Sequence, residues 1–340
     1  MRLGVVDVGA NTLNLLVTDS CGVAPLPVYA RKLRTGVSAR LKPGGAVSRA
    51  GRQRVVAAVT QAVKEGRRAG VDEVFAYATA VIRDAPNRDQ VLKDVESATG
   101  LRLGVLTGVE EARLTFLAAR RWLGWRAGSM LIADIGGGSV ELAVGPDRLP
   151  DEALSLPLGA RELTRGFLRD GDPPSEHAVR VLRRHVREQV DQVAARSWWR
   201  SADTAVGTSK TFQQLARLTG AAPLRRGPFV TRLLRRRDLR PWIDRLAGAP
   251  VRRRARFPGV SMHRASQILA GSIVAYELMG GLGIDYLQIC PWALREGILL
   301  SRLEGDTPPL GVRWTPWEML AVPPDGWPGS AFLDRGRSTA

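Results

Sequence analysis

The chain repeats itself. Residues Val5–Val17, VVDVGANTLNLLV, lie without a gap over Ile132–Val144, IADIGGGSVELAV, at an offset of 127 residues. Asp7 falls on Asp134, Gly9 on Gly136, Leu15 on Leu142 and Val17 on Val144, and Thr12 meets Ser139. Val5, Val8 and Leu13 meet Ile132, Ile135 and Val140. Each copy reads as a short apolar strand, Asp-x-Gly, two small residues, a hydroxyl and an alternating strand, which is a β-hairpin with a tight turn. Two such hairpins opening two halves of one chain predict duplicated lobes that face each other across a cleft.

The rest of each half agrees. Strands are expected at 3–8, 13–18, 74–78 and 103–106 in the first half, alternating with helices near 50–66, 88–99 and 109–123. In the second half, strands are expected at 130–135, 140–145, 203–206 and 285–289, and helices near 175–195, 209–218, 262–280 and 293–303. The stripe Val179, Leu182, Val186, Val190, Val193 marks the long helix. Both halves read as α/β lobes with mixed sheets. The expected domains are 1–125 and 126–305, with 306–340, rich in Pro, Gly and Ser, as a loosely packed tail begun by Trp314 and Trp317.

The turns carry the candidate chemistry. Three successive glycines, Gly136, Gly137 and Gly138, let an anion sit against the main chain, and Ser139 adds a hydroxyl. Asn11 and Thr12 hold the matching places of the first copy. Asp134 ends one strand and Glu141 lies on the next; the two are hard oxygen ligands suited to Mg²⁺ beside phosphates, or else Glu141 is a solvent-facing strand residue; Asp7 is the counterpart of Asp134. In TGVEEARLTFL, Glu110 and Glu111 occupy the first turn of a helix. They either complement the helix dipole or supply a general base that deprotonates water. VGTSKTFQQL sets Ser209 and Lys210 at a helix start, which is either an ordinary cap or a further phosphate cradle. Arg83 follows strand 74–78, where α/β sheets bind ligands, and is either a phosphate contact or an ordinary surface arginine.

Composition removes several classes. Cys21 and Cys290 cannot form a disulfide framework, so a reducing, cytoplasmic setting is expected. No run reaches the roughly eighteen apolar residues of a membrane span, and the N-terminus lacks a signal-peptide pattern. His177, His185 and His263 have no metal-ligand spacing. The formal charge is +17. Residues 217–264 hold fourteen arginines against Asp238 and Asp244, a local +12. That segment is either a set of solvated faces or a track for polyanions. No nucleic-acid-binding motif accompanies it.

The motifs DVGANTLNLLV, ATAVIRDAPN, TGVEEARLTFL, DIGGGSVEL, SLPLGARELT, GTSKT, RASQILAG and ALREGIL, in this order, resemble the exopolyphosphatase / guanosine-pentaphosphate phosphohydrolase (Ppx/GppA) family from Gly4 to about Glu304. The resemblance implies two ribonuclease-H-like domains of the actin/hexokinase superfamily with an interdomain active-site cleft. It implies metal-dependent release of terminal orthophosphate from inorganic polyphosphate, with Mg²⁺ or another divalent cation. By motif position Glu111 resembles the general base, with Glu110 the alternative. Asp134 and Glu141 resemble the magnesium carboxylates, and Asn11, Arg83, Gly136 to Ser139 and Ser209 the phosphate contacts.

The sequence departs from the family pattern in two turns. Ala10 stands where a serine is usual, and Lys210 where glycine is usual. The helical extension of longer members, with its histidine-aspartate phosphohydrolase-like domain, is missing, so short polyphosphates are the expected substrates. The alternatives are hydrolysis of guanosine pentaphosphate to the tetraphosphate, linked to the stringent response, a non-catalytic sensor of polyphosphate or nucleotide, and a nucleotide-dependent scaffold. The Ala/Gly-rich helix 262–280 is expected to pack tightly either within the chain or across a homodimer.

Overall fold

A computed structural model describes residues 1–19, 25–196, 199, 202–305, 315–316 and 320. Cys21, Trp314 and Trp317 lie outside the described residues. The chain divides into two compact units, Met1–Thr107 with the described residues from Ile298 onward, and Gly108–Gly297.

The first unit is built on β1 (Arg2–Val8), β2 (Thr12–Asp19), β3 (Pro27–Arg34), α1 (Arg49–Arg68), β4 (Glu73–Ala78), α2 (Ala80–Arg83), α3 (Arg88–Thr99) and β5 (Gly104–Val105). The sheet runs β3-β2-β1-β4, with β5 on the outer edge of β4. β1 is antiparallel to β2 and parallel to β4. Ser48 caps α1 by accepting from the Gly51 amide, which satisfies one of the donors a helix start leaves unpaired. Val55, Ala58, Val59, Ala62 and Val63 of α1 are buried in one core with Val6, Val8, Leu13 and Leu15 of the sheet.

The second unit holds α4 (Gly108–Leu123), β6 (Met130–Ile135), β7 (Val140–Gly145), β8 (Glu152–Leu156), α5 (Ala160–Phe167), α6 (Glu176–Ala194), β9 (Thr204–Gly207), α7 (Lys210–Leu218), β10 (Leu233–Arg235), α8 (Arg236–Ala247), α9 (Val251–Arg254), α10 (Ile268–Gly281) and β11 (Tyr286–Ile289). Its sheet order is β8-β7-β6-β9-β11-β10. The run β8-β7-β6-β9-β11 repeats β3-β2-β1-β4-β5 of the first unit in both order and direction. The duplication therefore extends well beyond the thirteen aligned residues.

Alternation along β6 covers both faces of this sheet. Leu131, Ala133 and Ile135 pack with the layer of α5, α6, α7, α8 and α10. Met130 and Ile132 pack with Ala112, Phe116 and Ala119 of α4. This contact explains why the units divide at 107/108 and not at the expected 125/126: α4 is buried on the second sheet. The other division falls within α11 (Leu294–Leu303), whose Arg302 pairs with Glu73 of the first unit at 2.9 Å.

The described part of the expected loose tail is not loose. Thr315–Pro316 form β12, antiparallel to β4, and Leu320 is buried in the first core. The helix expected from 262 begins at Ile268. Residues Met262–Arg264 instead form a single tight turn that carries Arg264 toward Thr211. Among the described residues no helix is long and apolar enough to cross a membrane.

Candidate active site

The two hairpin turns share one geometry. The Gly9 amide donates to the Thr12 carbonyl at 2.9 Å, and the Gly136 amide to the Ser139 carbonyl at 2.9 Å. In the second unit the Gly136 carbonyl accepts from the Ala160 amide at 3.1 Å. The Gly137 carbonyl accepts from the amides of Arg161 and Glu162 at 3.0 and 3.2 Å. These bonds cap α5, which has no side-chain cap. A trans peptide points its N–H opposite to its C=O. The amides of Gly137 and Gly138 are thus turned away from α5, as an anion nest requires. The first unit does the same: Ala10 and Asn11 carbonyls accept from Ser38, Thr35 and Gly36, turning the amides of Asn11 and Thr12 the other way. The Asn11 side chain itself accepts from the Ser38 hydroxyl.

Asp134 and Glu141 are direct partners across β6 and β7, so their side chains share a face. Glu141 is buried and accepts from the Ser155 hydroxyl at 3.0 Å. A Cβ on Gly108 would lie 2.2 Å from the Ser155 Cβ and 3.8 Å from Glu141 Oε1. Only glycine allows α4 to start this close to β8. The first turn of α4, with half-buried Glu110 and Glu111, is thereby set beside Glu141. A Cβ on Gly136 would lie 3.9 Å from the other Glu141 oxygen, Oε2. The glycine turn, Glu141 and the two glutamates of α4 thus belong to one corner of the second unit.

Asp134 Oδ2 accepts from the Thr208 hydroxyl at 2.6 Å and the Ser209 amide at 3.0 Å. Burial pushes its carboxyl above the usual aspartate range, and these two bonds and the Arg264 charge pull it back down. Ser209 holds φ 23°, a strained value for a residue with a side chain. Its hydroxyl accepts from the Phe212 amide and caps α7. The Ser209 amide thus serves Asp134 and its hydroxyl oxygen the cap of α7, while Lys210 is exposed and reaches Gln213 at 3.3 Å.

Arg83 ends α2 in the first unit. It donates to Asp84 at 2.9 Å and to the Leu106 carbonyl at 3.4 Å. It lines an open cavity of about 470 Å³ with Arg88, Asp89, Leu103 and Thr107. Asp7 accepts from Asn14 at 3.3 Å. Asn14 is its register partner, where the second unit has Glu141. Among the described residues no group of three or more His, Cys, Asp and Glu forms a metal cluster. Asp134 and Glu141 stand as a pair. Two carboxylates completed by water and substrate oxygens are a donor set that fits Mg²⁺.

Two arginines escaped the sequence reading. Arg161 lies over the glycine turn, its Nη1 3.3 Å from where a Gly137 Cβ would be. Arg264 donates to Thr211 at 3.4 Å and lies near the charges of Asp134 and Arg161. Burial lowers its pKa, Asp134 raises it and Arg161 lowers it. Both residues belong to motifs quoted above, SLPLGARELT and RASQILAG. One arginine among forty-five gives no signal of its own.

Anion-turned amides, paired carboxylates, acidic residues at a helix start and two arginines form a set able to hold phosphate and activate water. The comparisons agree with that chemistry. Residues 16–305 match the Ppx/GppA phosphatase family. The chain is 44% identical over 308 residues to exopolyphosphatase 1 of Mycobacterium leprae, covering 90% of this chain and 91% of that one. It is 24% identical over 300 residues to a guanosine-5'-triphosphate,3'-diphosphate pyrophosphatase of Aeromonas hydrophila, covering 88% of this chain and 58% of that one. The crystal structure of the Aquifex aeolicus Ppx/GppA family member superposes with a TM-score of 0.77 at 27% identity, over 90% of this chain and 98% of that one. The fold is that of the actin/hexokinase superfamily, and the chain belongs to the Ppx/GppA phosphatase family, hydrolases of phosphoric anhydrides.

Proposed function

We propose that the protein is an exopolyphosphatase that removes orthophosphate from the end of inorganic polyphosphate, with short chains preferred. The observation that carries this reading is the glycine turn whose amides are aimed outward beside Glu141 and the start of α4. Glu111, in the first turn of α4, takes the proton of the attacking water; Glu110 is the alternative base. The amides of Gly137 and Gly138 with Arg161 and Arg264 receive the charge that spreads over the equatorial oxygens, and the penultimate phosphate leaves. Positioning and electrostatics supply most of the acceleration in such a reaction. Asp134 and Glu141 would hold Mg²⁺, which neutralises phosphate charge when bound.

The Aeromonas relative favours a second reading, hydrolysis of guanosine pentaphosphate at the same site. Phosphate release from polyphosphates of defined length and from guanosine pentaphosphate, each with and without Mg²⁺, separates the two. Faster release from short polyphosphate supports the proposal. Faster release from the nucleotide replaces it with the second reading, and no release from either overturns both.

A further inference from the structure

The second unit carries an arginine groove that the reaction above does not use. Its floor is Tyr276 and Glu277 on α10, and its walls are Arg183 and Arg187 from α6 and Arg236 and Arg240 from α8. Glu277 is 6% exposed and accepts from Arg183 at 2.8 and 3.0 Å through one oxygen and from Arg187 at 3.3 Å through the other. The Arg236 guanidinium lies 4.0 Å from the centre of the Tyr276 ring, and those of Arg183 and Arg240 lie 5.8 and 5.9 Å from it. Gly280 makes room for Arg236, since a Cβ there would come within 2.6 Å of it.

Four guanidiniums converge here against Glu277 and, at 3.9 Å from Arg240, Asp244. Like charges so close repel, and an external anion would relieve the excess. Arg187 and Arg240 are 60% and 50% exposed. Both side chains are open to solvent, and a guanidinium is the fork that matches phosphate oxygens. The groove lies along α10 from the start of α5, whose Ala160 amide holds the glycine turn. α10 passes Thr211 and Ala160 at Gly271, about 9 Å before Glu277 at the usual helical rise. Because Arg236 already covers the Tyr276 ring, the ring is no stacking platform for a base. This favours a phosphate chain over a nucleic acid.

Resting on the proposed polyphosphate reading, we infer that this groove is a second binding site for polyphosphate, distinct from the catalytic turns. It would retain internal phosphates of long chains away from the catalytic corner, adding affinity for them without speeding their hydrolysis. The test is direct binding of a fluorescent long-chain polyphosphate, which needs no turnover and so stands apart from any failure of the catalytic reading. Arg187→Ala/Arg240→Ala should weaken long-chain binding by about tenfold at low salt and flatten its salt dependence by about 1.4 logarithmic units. Arg187→Lys/Arg240→Lys should retain most of the binding, and tripolyphosphate hydrolysis should be unchanged. The control Arg67→Ala/Arg68→Ala on α1 removes the same charge elsewhere. An equal loss in that control, less than a twofold loss in the alanine pair, or equal arginine-dependent binding of single-stranded RNA would overturn the inference.

Discussion

Gly159 stands against Gly138 backbone to backbone: a Cβ at position 159 would lie 2.1 Å from the Gly138 carbonyl carbon. The glycine turn is therefore held from behind by the start of α5, whose amides also take the carbonyls of Gly136 and Gly137. Gly159→Ala must push the turn outward and re-aim its amides. A displacement near 1 Å in such a site costs about 100-fold in rate. We expect kcat for phosphate release to fall by that order, with the circular dichroism spectrum unchanged. Wild-type turnover would remove the turn from the mechanism.

Glu110 and Glu111 share the first turn of α4, and the two roles open to them give different results. A glutamate that only complements the dipole contributes about 0.3–1 kcal/mol to stability and nothing specific to rate. A general base contributes about 10²–10⁴ in rate. We expect Glu111→Gln to lower kcat within that range at unchanged melting temperature, and Glu110→Gln to lower it less than tenfold. The reverse order, read from initial rates and thermal melts, would move the base to Glu110.

These assignments began with thirteen aligned residues, because hairpins such as β1-β2 and β6-β7 pair sequence-local alternation with glycine turns. Strands with exposed or half-buried faces have no such pattern. β3, PVYARKLR, buries Leu33 alone, and every position of β8 is half-buried. α8 was hidden by its arginines and by Pro241 inside the helix. At the site, residue types that chemistry requires, such as Asp134, Glu141 and the glycines, stand out in sequence. Gly108, Ser155, Gly159, Arg161 and Arg264 matter through what they touch, and that depends on strand register and helix docking. The division at 107/108 depends on the same kind of contact, since Phe116 and Ala119 declare their partner sheet only once α4 is packed on Met130 and Ile132.

Acid sensitivity of the first unit should trace in part to Glu65. The Tyr29 hydroxyl donates to it at 2.6 Å and Gln61 at 2.8 Å. The Tyr29 bond, more than any other contact, holds its carboxyl below the usual 4.5. A carboxylate depressed in the folded state stabilises above its unfolded pKa, and that stabilisation is lost as pH falls through the folded value. Tyr29→Phe should therefore cost about 1 kcal/mol at pH 7, and the gap from wild type should narrow below pH 4. Urea unfolding at pH 7 and pH 3.5 measures both; a gap independent of pH would mean that the hydroxyl acts without the charge.

Ser155 donates to Glu141 Oε1, fixing one oxygen and leaving Oε2 toward the glycine turn. Groups that orient a metal ligand typically change metal affinity by about 10–100-fold when removed. Ser155→Ala should raise the Mg²⁺ concentration for half-maximal activity by about tenfold, while turnover at saturating Mg²⁺ stays near wild type. Glu141→Gln removes a ligand charge and should lower turnover even at saturation. Chelation should abolish the activity of the native protein and added Mg²⁺ restore it. Magnesium titrations of the three proteins decide the point: a shared half-saturation value would place the cation away from Glu141.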